Sequence, residues 1–475
     1  MDAIGPSEIK DNRLNGFIFG ITLNKGLFSR TPFSLAKGSV IADNRILRLN
    51  GQTEDSDTKA FAIDVAADDC VIRDNFLDYA ASDCGGIAVS GANARVEGNS
   101  VRSLAKEAGR TRSLGILLGR LGAKGSLGSN GGHIVANSIL GPQDGILLIG
   151  NSAAEVLENR IECDDPGKAR FGITLLASSR IRVLGNRITN AEFPIAANGG
   201  TANEISDNTL LRGGSGATLL NQTSMEFTQN RVEDMRNYGL IVLQGLAKFA
   251  IIENRFLSCG YGQAPAIGIG VSQQLGELHI ESNEVMNTGV SPDNATISKL
   301  AWGIFADFVL EARVQSNNVT YANVTLLDAN QEHRALWLRG SLEQTINLAA
   351  GDLVLGFSVQ ILDNKFLGPG RSALVEVAQL EVSVNFWRRF ERVFFSNNFC
   401  WHMSVASPPM DPSPATVSLF GKSAIVMGNH IKTNVLIPSV DFHGMKDAVY
   451  MGNIAQTAPA NFGGIPTPVS VFNKT

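Results

Sequence analysis

The chain has 475 residues, of which 44% are hydrophobic and 18% charged, with a mean hydropathy of +0.05. Disordered and coiled-coil chains are far more charged, so both classes are excluded. The formal charge of -5 excludes a globally basic nucleic-acid binder.

The first residues, Met1-Asp2-Ala3 followed soon by Glu8 and Asp11, carry neither a basic nor an apolar leader region. No secretory signal is therefore expected, which points to a cytoplasmically assembled particle or to a fragment of a larger surface protein. The most hydrophobic stretch, residues 239–252, is interrupted by Gln244 and Lys248, so no membrane span is expected. The five cysteines (Cys70, Cys84, Cys163, Cys259 and Cys400) are odd in number and follow no CxxC spacing. They read as buried free thiols, neither disulfides nor metal ligands.

After a short lead-in, residues 1–8, one phrase recurs: apolar, any, any, Asn, any, apolar. It begins as Ile9-Lys10-Asp11-Asn12-Arg13-Leu14 and continues at Asn44, Asn75, Asn99 and Asn137. Its clearest copies centre on Asn159, Asn186, Asn208, Asn230, Asn254 and Asn283, for example Val156-Leu157-Glu158-Asn159-Arg160-Ile161. It runs on through Asn317, Asn364, Asn397, Asn429 and Asn453, which makes 16 copies. The shortest interval is 22 residues, and longer intervals read as loops added to a fixed unit. Between the Asn phrases lies a second one, Gly followed by aliphatics, as in Gly115-Ile116-Leu117-Leu118, Gly145-Ile146-Leu147-Leu148 and Gly303-Ile304-Phe305-Ala306.

Each unit therefore predicts two or three short strands joined by tight turns. A four-residue strand buries its apolar face only by pairing with its counterpart one coil away, about 4.8 Å along an axis. Asn suits such a turn on two counts. It tolerates the left-handed backbone region, and its amide can stack on the same amide of the next coil in a hydrogen-bonded ladder. These phrases resemble those of the right-handed parallel β-helix (pectate-lyase-like) superfamily. The resemblance implies an all-β, single-stranded right-handed parallel β-helix, a solenoid of roughly 14–16 coils, over residues 9–454. Residues 455–475, with Pro459, Gly463, Gly464, Pro466 and Pro468, read as an irregular tail.

Function is less sharply written. The interval 99–137 holds the most basic stretch, with Arg110, Arg112, Arg120 and Lys124 as candidates for an acidic glycan. Trp337 and Arg339 are a further candidate pair, since Trp beside Arg suits a sugar face, although the surrounding aliphatic phrase points to packing for Trp337. Residues 386–402, rich in aromatics, read as a bulky turn or an oligomer contact.

Among enzymes of this fold, the resemblance to polygalacturonases requires four phrases. Only Asp-Asp occurs, at Asp68-Asp69 and Asp164-Asp165, and both copies read as turns. Asp441-Phe442-His443-Gly444 approaches a second phrase without its partners. The six histidines show no metal spacing, and no cofactor is implied. The expectation is thus a non-enzymatic structural or recognition rod: a fibre, spike or decoration component. The alternative is a lyase, hydrolase or epimerase acting on an acidic glycan. The coils Val426–Ile431 and Asp441–Met445 are similar to β-helix modules associated with phage-tail-like and contractile injection assemblies. Residues 1–8 are too few for a helix cap on a solenoid end, so a cover by partner chains or by a segment missing here is expected at the amino end; the likeness to spikes implies a homo-oligomer such as a trimer.

Overall fold

The computed structural model describes residues 6–16, 20–23, 36–49, 60–79, 84–104, 113–119, 130–163, 170–321, 332–340, 358–369, 372–378, 380–383, 386–388, 390–403, 415–434, 437–443, 445–456, 460–461 and 467–471. The chain forms two units, Met1–Thr218 and Leu219–Thr475. Among the described residues the regular structure is β, and no helix is long and apolar enough to cross a membrane. Each unit is built from right-handed parallel β-helix coils.

A coil of the first unit shows the construction. Ser138–Leu140 follows Asn137, Asp144–Ile149 carries the Gly-aliphatic phrase, and Glu155–Leu157 leads into Asn159. Each of the three strands pairs in parallel with its counterpart in the next coil. Ile139 lies beside Ile161, Ile146 beside Ile173, and Val156 beside Val183. The inward positions of the second strand form the buried column Ile87, Ile116, Ile146, Ile173 and Ile195. The third contributes Val96, Ile134, Val156, Val183 and Ile205. Stacking therefore makes one dry interior from strands that could bury nothing alone.

The turn between the third strand and the next coil interrupts the backbone ladder, and asparagine completes it. The Oδ1 of Asn186 accepts from both the backbone N–H and the Nδ2 of Asn159, each at 2.9 Å. Its own Nδ2 lies 2.8 Å from the Val156 carbonyl, 3.0 Å from that of Leu184 and 3.0 Å from Asn208 Oδ1. The same amide-to-amide bond joins Asn12 to Asn44, Asn44 to Asn75 and Asn75 to Asn99. In the second unit it joins Asn230 to Asn254, Asn254 to Asn283 and Asn283 to Asn317. A buried primary amide that spends both donors and both acceptor lone pairs stabilises the turn, and no apolar residue of that size can do so.

Two expectations need correction. The left-handed backbone falls on the residue before each ladder asparagine: Asp43, Asp74, Glu158, Asp207, Glu253 and Ser282 all have φ between 54° and 56°. The asparagine is selected for its amide, and its neighbour takes the strained dihedrals. For the same reason the series passes through Asn398, which bonds to Asn429 at 3.0 Å and receives from Asn364 at 3.0 Å. Asn397, expected from the spacing, is the left-handed residue there.

Gly in the second phrase is required by close approach. A Cβ on Gly145 would lie 2.5 Å from the Gly172 carbonyl oxygen and 2.8 Å from Ile161 Cγ2. All five cysteines are buried thiols, and burial pushes those of Cys70 and Cys259 up to about 12. Asp68 and Asp69 sit in a turn, where Asp69 bonds Asn93 and pairs with Lys37. Asp164-Asp165 lies outside the described residues. In the stretch expected to be an irregular tail, Thr467–Val471 forms a strand parallel to Asp447–Met451.

Replacing Asn186 with Ala strands the Asn159 backbone N–H and amide, and should cost about 2–4 kcal/mol. The exposed Arg187→Ala change should stay within about 0.5 kcal/mol. Urea-unfolding midpoints of the two variants test the difference. Gly145→Ala should lower stability by about 1–3 kcal/mol through overpacking, visible in the same measurement.

Candidate recognition face

In the second unit the Gly-aliphatic strands stack as Leu300–Gln315, Glu332–Gly340, Val375–Ala378, Val417–Met427 and Val440–His443. Their inward residues, Ile304, Leu336, Val375, Val417 and Val440, are fully buried. The alternation of the strand turns the intervening residues to the outer face. Register places Phe305 beside Trp337, Trp337 beside Glu376, Glu376 beside Ser418 and Ser418 beside Asp441. A parallel column is formed by Phe420 beside His443.

This face gathers aromatic and charged groups. The Trp302 and Trp337 rings meet edge-on at 4.6 Å, and Phe305 lies 4.7 Å from Trp302 and 5.3 Å from Trp337. Two guanidiniums lie over the Trp337 ring, Arg334 at 4.3 Å and Arg339 at 4.8 Å. Such contacts hold planar cations in fixed orientation. Each guanidinium is also tied to carboxylates. Arg334 reaches Glu332 and Glu376, both at 2.8 Å, and Arg339 donates to Asp307 at 2.5 Å. Burial raises the Glu376 carboxyl above its ordinary value, opposed first by Arg334. Burial likewise raises Asp307 against the pull of Arg339. Further along, His443 stacks on Phe420 at 4.3 Å and pairs with Asp441 at 2.9 Å. Among the described residues, Trp302 Nε1, Trp337 Nε1, Arg334 Nε, Arg339 Nε, Asp307 Oδ1 and Asp441 Oδ1 have no hydrogen-bond partner.

Trp337 and Arg339, singled out in the sequence, thus sit together on one face. Trp337 lies on the outside of the strand, its half-buried ring packed against Trp302 and Phe305 beneath two arginines. Arg110, Arg112, Arg120 and Lys124 lie outside the described residues. Of the aromatic stretch, Phe386–Arg388 pairs antiparallel with Leu380–Ser383, and Trp401 carries Lys432 Nζ at 4.3 Å from its ring centroid. Sequence reading missed Trp302, Phe305, Asp307, Glu376 and Phe420. They become visible only when the Gly-aliphatic phrases are aligned on their inward residues, which brings the outward positions into columns. No group of His, Cys, Asp and Glu able to hold a metal ion occurs among the described residues.

Directly behind this face His333 is fully buried beside Tyr321, with ring centroids 4.9 Å apart. Its Nε2 lies 3.1 Å from the Ser298 carbonyl, so that nitrogen carries the proton. Burial lowers its pKa to about 4. The folded state therefore holds the neutral ring, and the stability this confers is present above the ordinary histidine value and lost as pH falls toward 4. The loss should be about 3 kcal/mol. Urea midpoints measured from neutral pH to pH near 4, for wild type and His333→Gln, should diverge because the variant lacks this titration.

Comparison with known proteins agrees with the fold. Residues 126–256 match the family model described as "Right handed beta helix region". A comparison with curated proteins finds no match. Among solved structures, the catalytic domain of a GH87 alpha-1,3-glucanase in complex with tetrasaccharides is similar at 10% identity, covering 96% of this chain and 69% of that one, with a TM-score of 0.33. The Dettilon tailspike protein matches at 11% identity over 88% of this chain and 66% of that one, with a TM-score of 0.31. A PL6 family alginate lyase matches at 10% identity over 99% and 97%, with a TM-score of 0.27. The match over residues 126–256 and the stacked parallel strands agree in the fold, a right-handed parallel β-helix.

Proposed function

We propose that this parallel β-helix protein is a non-enzymatic recognition component, and that its second unit binds a glycan along the outer face of the strands from Leu300 to His443. The observation that carries this reading is the cluster of Trp302, Phe305 and Trp337 with Arg334 and Arg339 laid over Trp337. Aromatic walls exclude water, and guanidinium and carboxylate groups held in fixed orientation offer donors and acceptors to sugar hydroxyls. The carboxylate partners restrain both arginines, so little side-chain entropy remains to be lost on binding. A chain lying along the coil axis would meet one outward row every 4.8 Å or so. The likeness of the C-terminal coils to phage-tail-like modules is consistent with such a component serving in a larger assembly as a fibre, spike or decoration part.

A second reading, hydrolysis, is favoured by the setting of Glu376, a half-buried carboxyl 2.8 Å from Arg334 that burial raises above its ordinary value. That is the property a general acid needs.

Trp337→Ala should remove the support of both arginines and weaken glycan binding at least about tenfold, measured by calorimetry with oligosaccharides from an array. An unchanged affinity would remove this face from the reading. Reducing ends released by wild type and lost in Glu376→Gln would favour hydrolysis over simple recognition.

A further inference from the structure

We infer that the ligand of this face is a neutral, hydroxyl-rich glycan and not the acidic polysaccharide that the basic stretch of the sequence suggested; the inference rests on the glycan reading above. Four carboxylates, Asp307, Glu332, Glu376 and Asp441, stand on the face against two guanidiniums, Arg334 and Arg339. Neither cation is available to an anionic sugar. Arg334 spends two of its nitrogens on Glu332 and Glu376, and Arg339 is held by the buried Asp307. A uronate would have to displace one of these carboxylates, and then sit within a few ångströms of it and of its neighbours. Repulsion between like charges in a partly desolvated site opposes that arrangement.

The two aromatic groups on the face are Trp302 with Phe305 and Trp337, and Phe420 with His443; between their strands lies Val375–Ala378, in which Glu376 pairs with Trp337 and with Ser418. Trp337 and Phe420 therefore lie two coils apart, about 10 Å along the axis. That spacing suits a ligand of more than one sugar ring.

The experiment is calorimetric titration of the full chain with neutral gluco- and manno-oligosaccharides, with pectate and alginate oligosaccharides, and with cationic chitosan oligosaccharides, each at low and high salt. Neutral ligands should bind with an affinity that changes less than about twofold with salt, as expected where no net charge is neutralised. Uronates should bind at least about tenfold more weakly. Glu376→Gln, which relieves one of the two carboxylates on Arg334, should move the uronate-to-neutral affinity ratio at least about threefold toward uronate. Preferred, salt-sensitive binding of a uronate, or preferred binding of chitosan, would overturn the inference while leaving a glycan on this face. Binding of none of the three classes would overturn the glycan reading itself.

Discussion

Everything in this molecule is arranged around a buried primary amide that has no freedom to be anything else. A parallel β-helix must turn a corner in every coil. At the corner the strand ladder stops, and each backbone N–H and carbonyl there needs another partner. The asparagine side chain supplies one donor pair and one acceptor in the space of a turn, and hands the shortfall to the identical residue in the next coil. Because each amide is both supplier and recipient, the coils are held in register as well as together. A slip by one residue would misplace the amides and turn the inward aliphatics to the outside.

That corner sets the terms for its neighbours. The residue before the asparagine must enter the left-handed region, and no β-branched residue stands there: the position is held by Asp, Gly, Glu, Ser, Asn, Gln or Ala. Across the coil, the second strand approaches the inward side chain of the strand after the asparagine so closely that only glycine fits at Gly145 and Gly172. These are local demands of close packing, repeated with each coil. The outer positions are under no such demand, so they are free to vary and to carry function.

The face from Trp302 to His443 shows what that freedom permits. Adjacent strands bring together residues far apart in the chain, each contributing one or two outward side chains to a common surface. On it the arginines are neutralised by their own neighbours before any ligand arrives. Removing solvent from Glu376 and Asp307 costs free energy, and the opposing guanidiniums offset part of it. A face built in this way presents ordered dipoles and hydrogen-bonding groups more than it presents charge.

Much of this was legible without coordinates. The Asn phrase and the Gly-aliphatic phrase determine a stacked, parallel, all-β coil, because only stacking lets strands so short bury Ile146 or Val156. They also determine that the cysteines lie inside, since the spacing leaves them no partners. The tertiary structure decided what the phrases could not. It assigned the left-handed position to Asp43 or Asn397 and not to the asparagine that follows, because backbone dihedrals leave no mark in a pattern satisfied by Asp, Glu, Gln, Asn, Ser, Ala and Gly alike. It also turned Trp337 outward and set it among Trp302, Arg334 and Glu376. That choice depends on which residues of neighbouring coils share a register, and loops of unequal length between the coils hide the register from any fixed spacing.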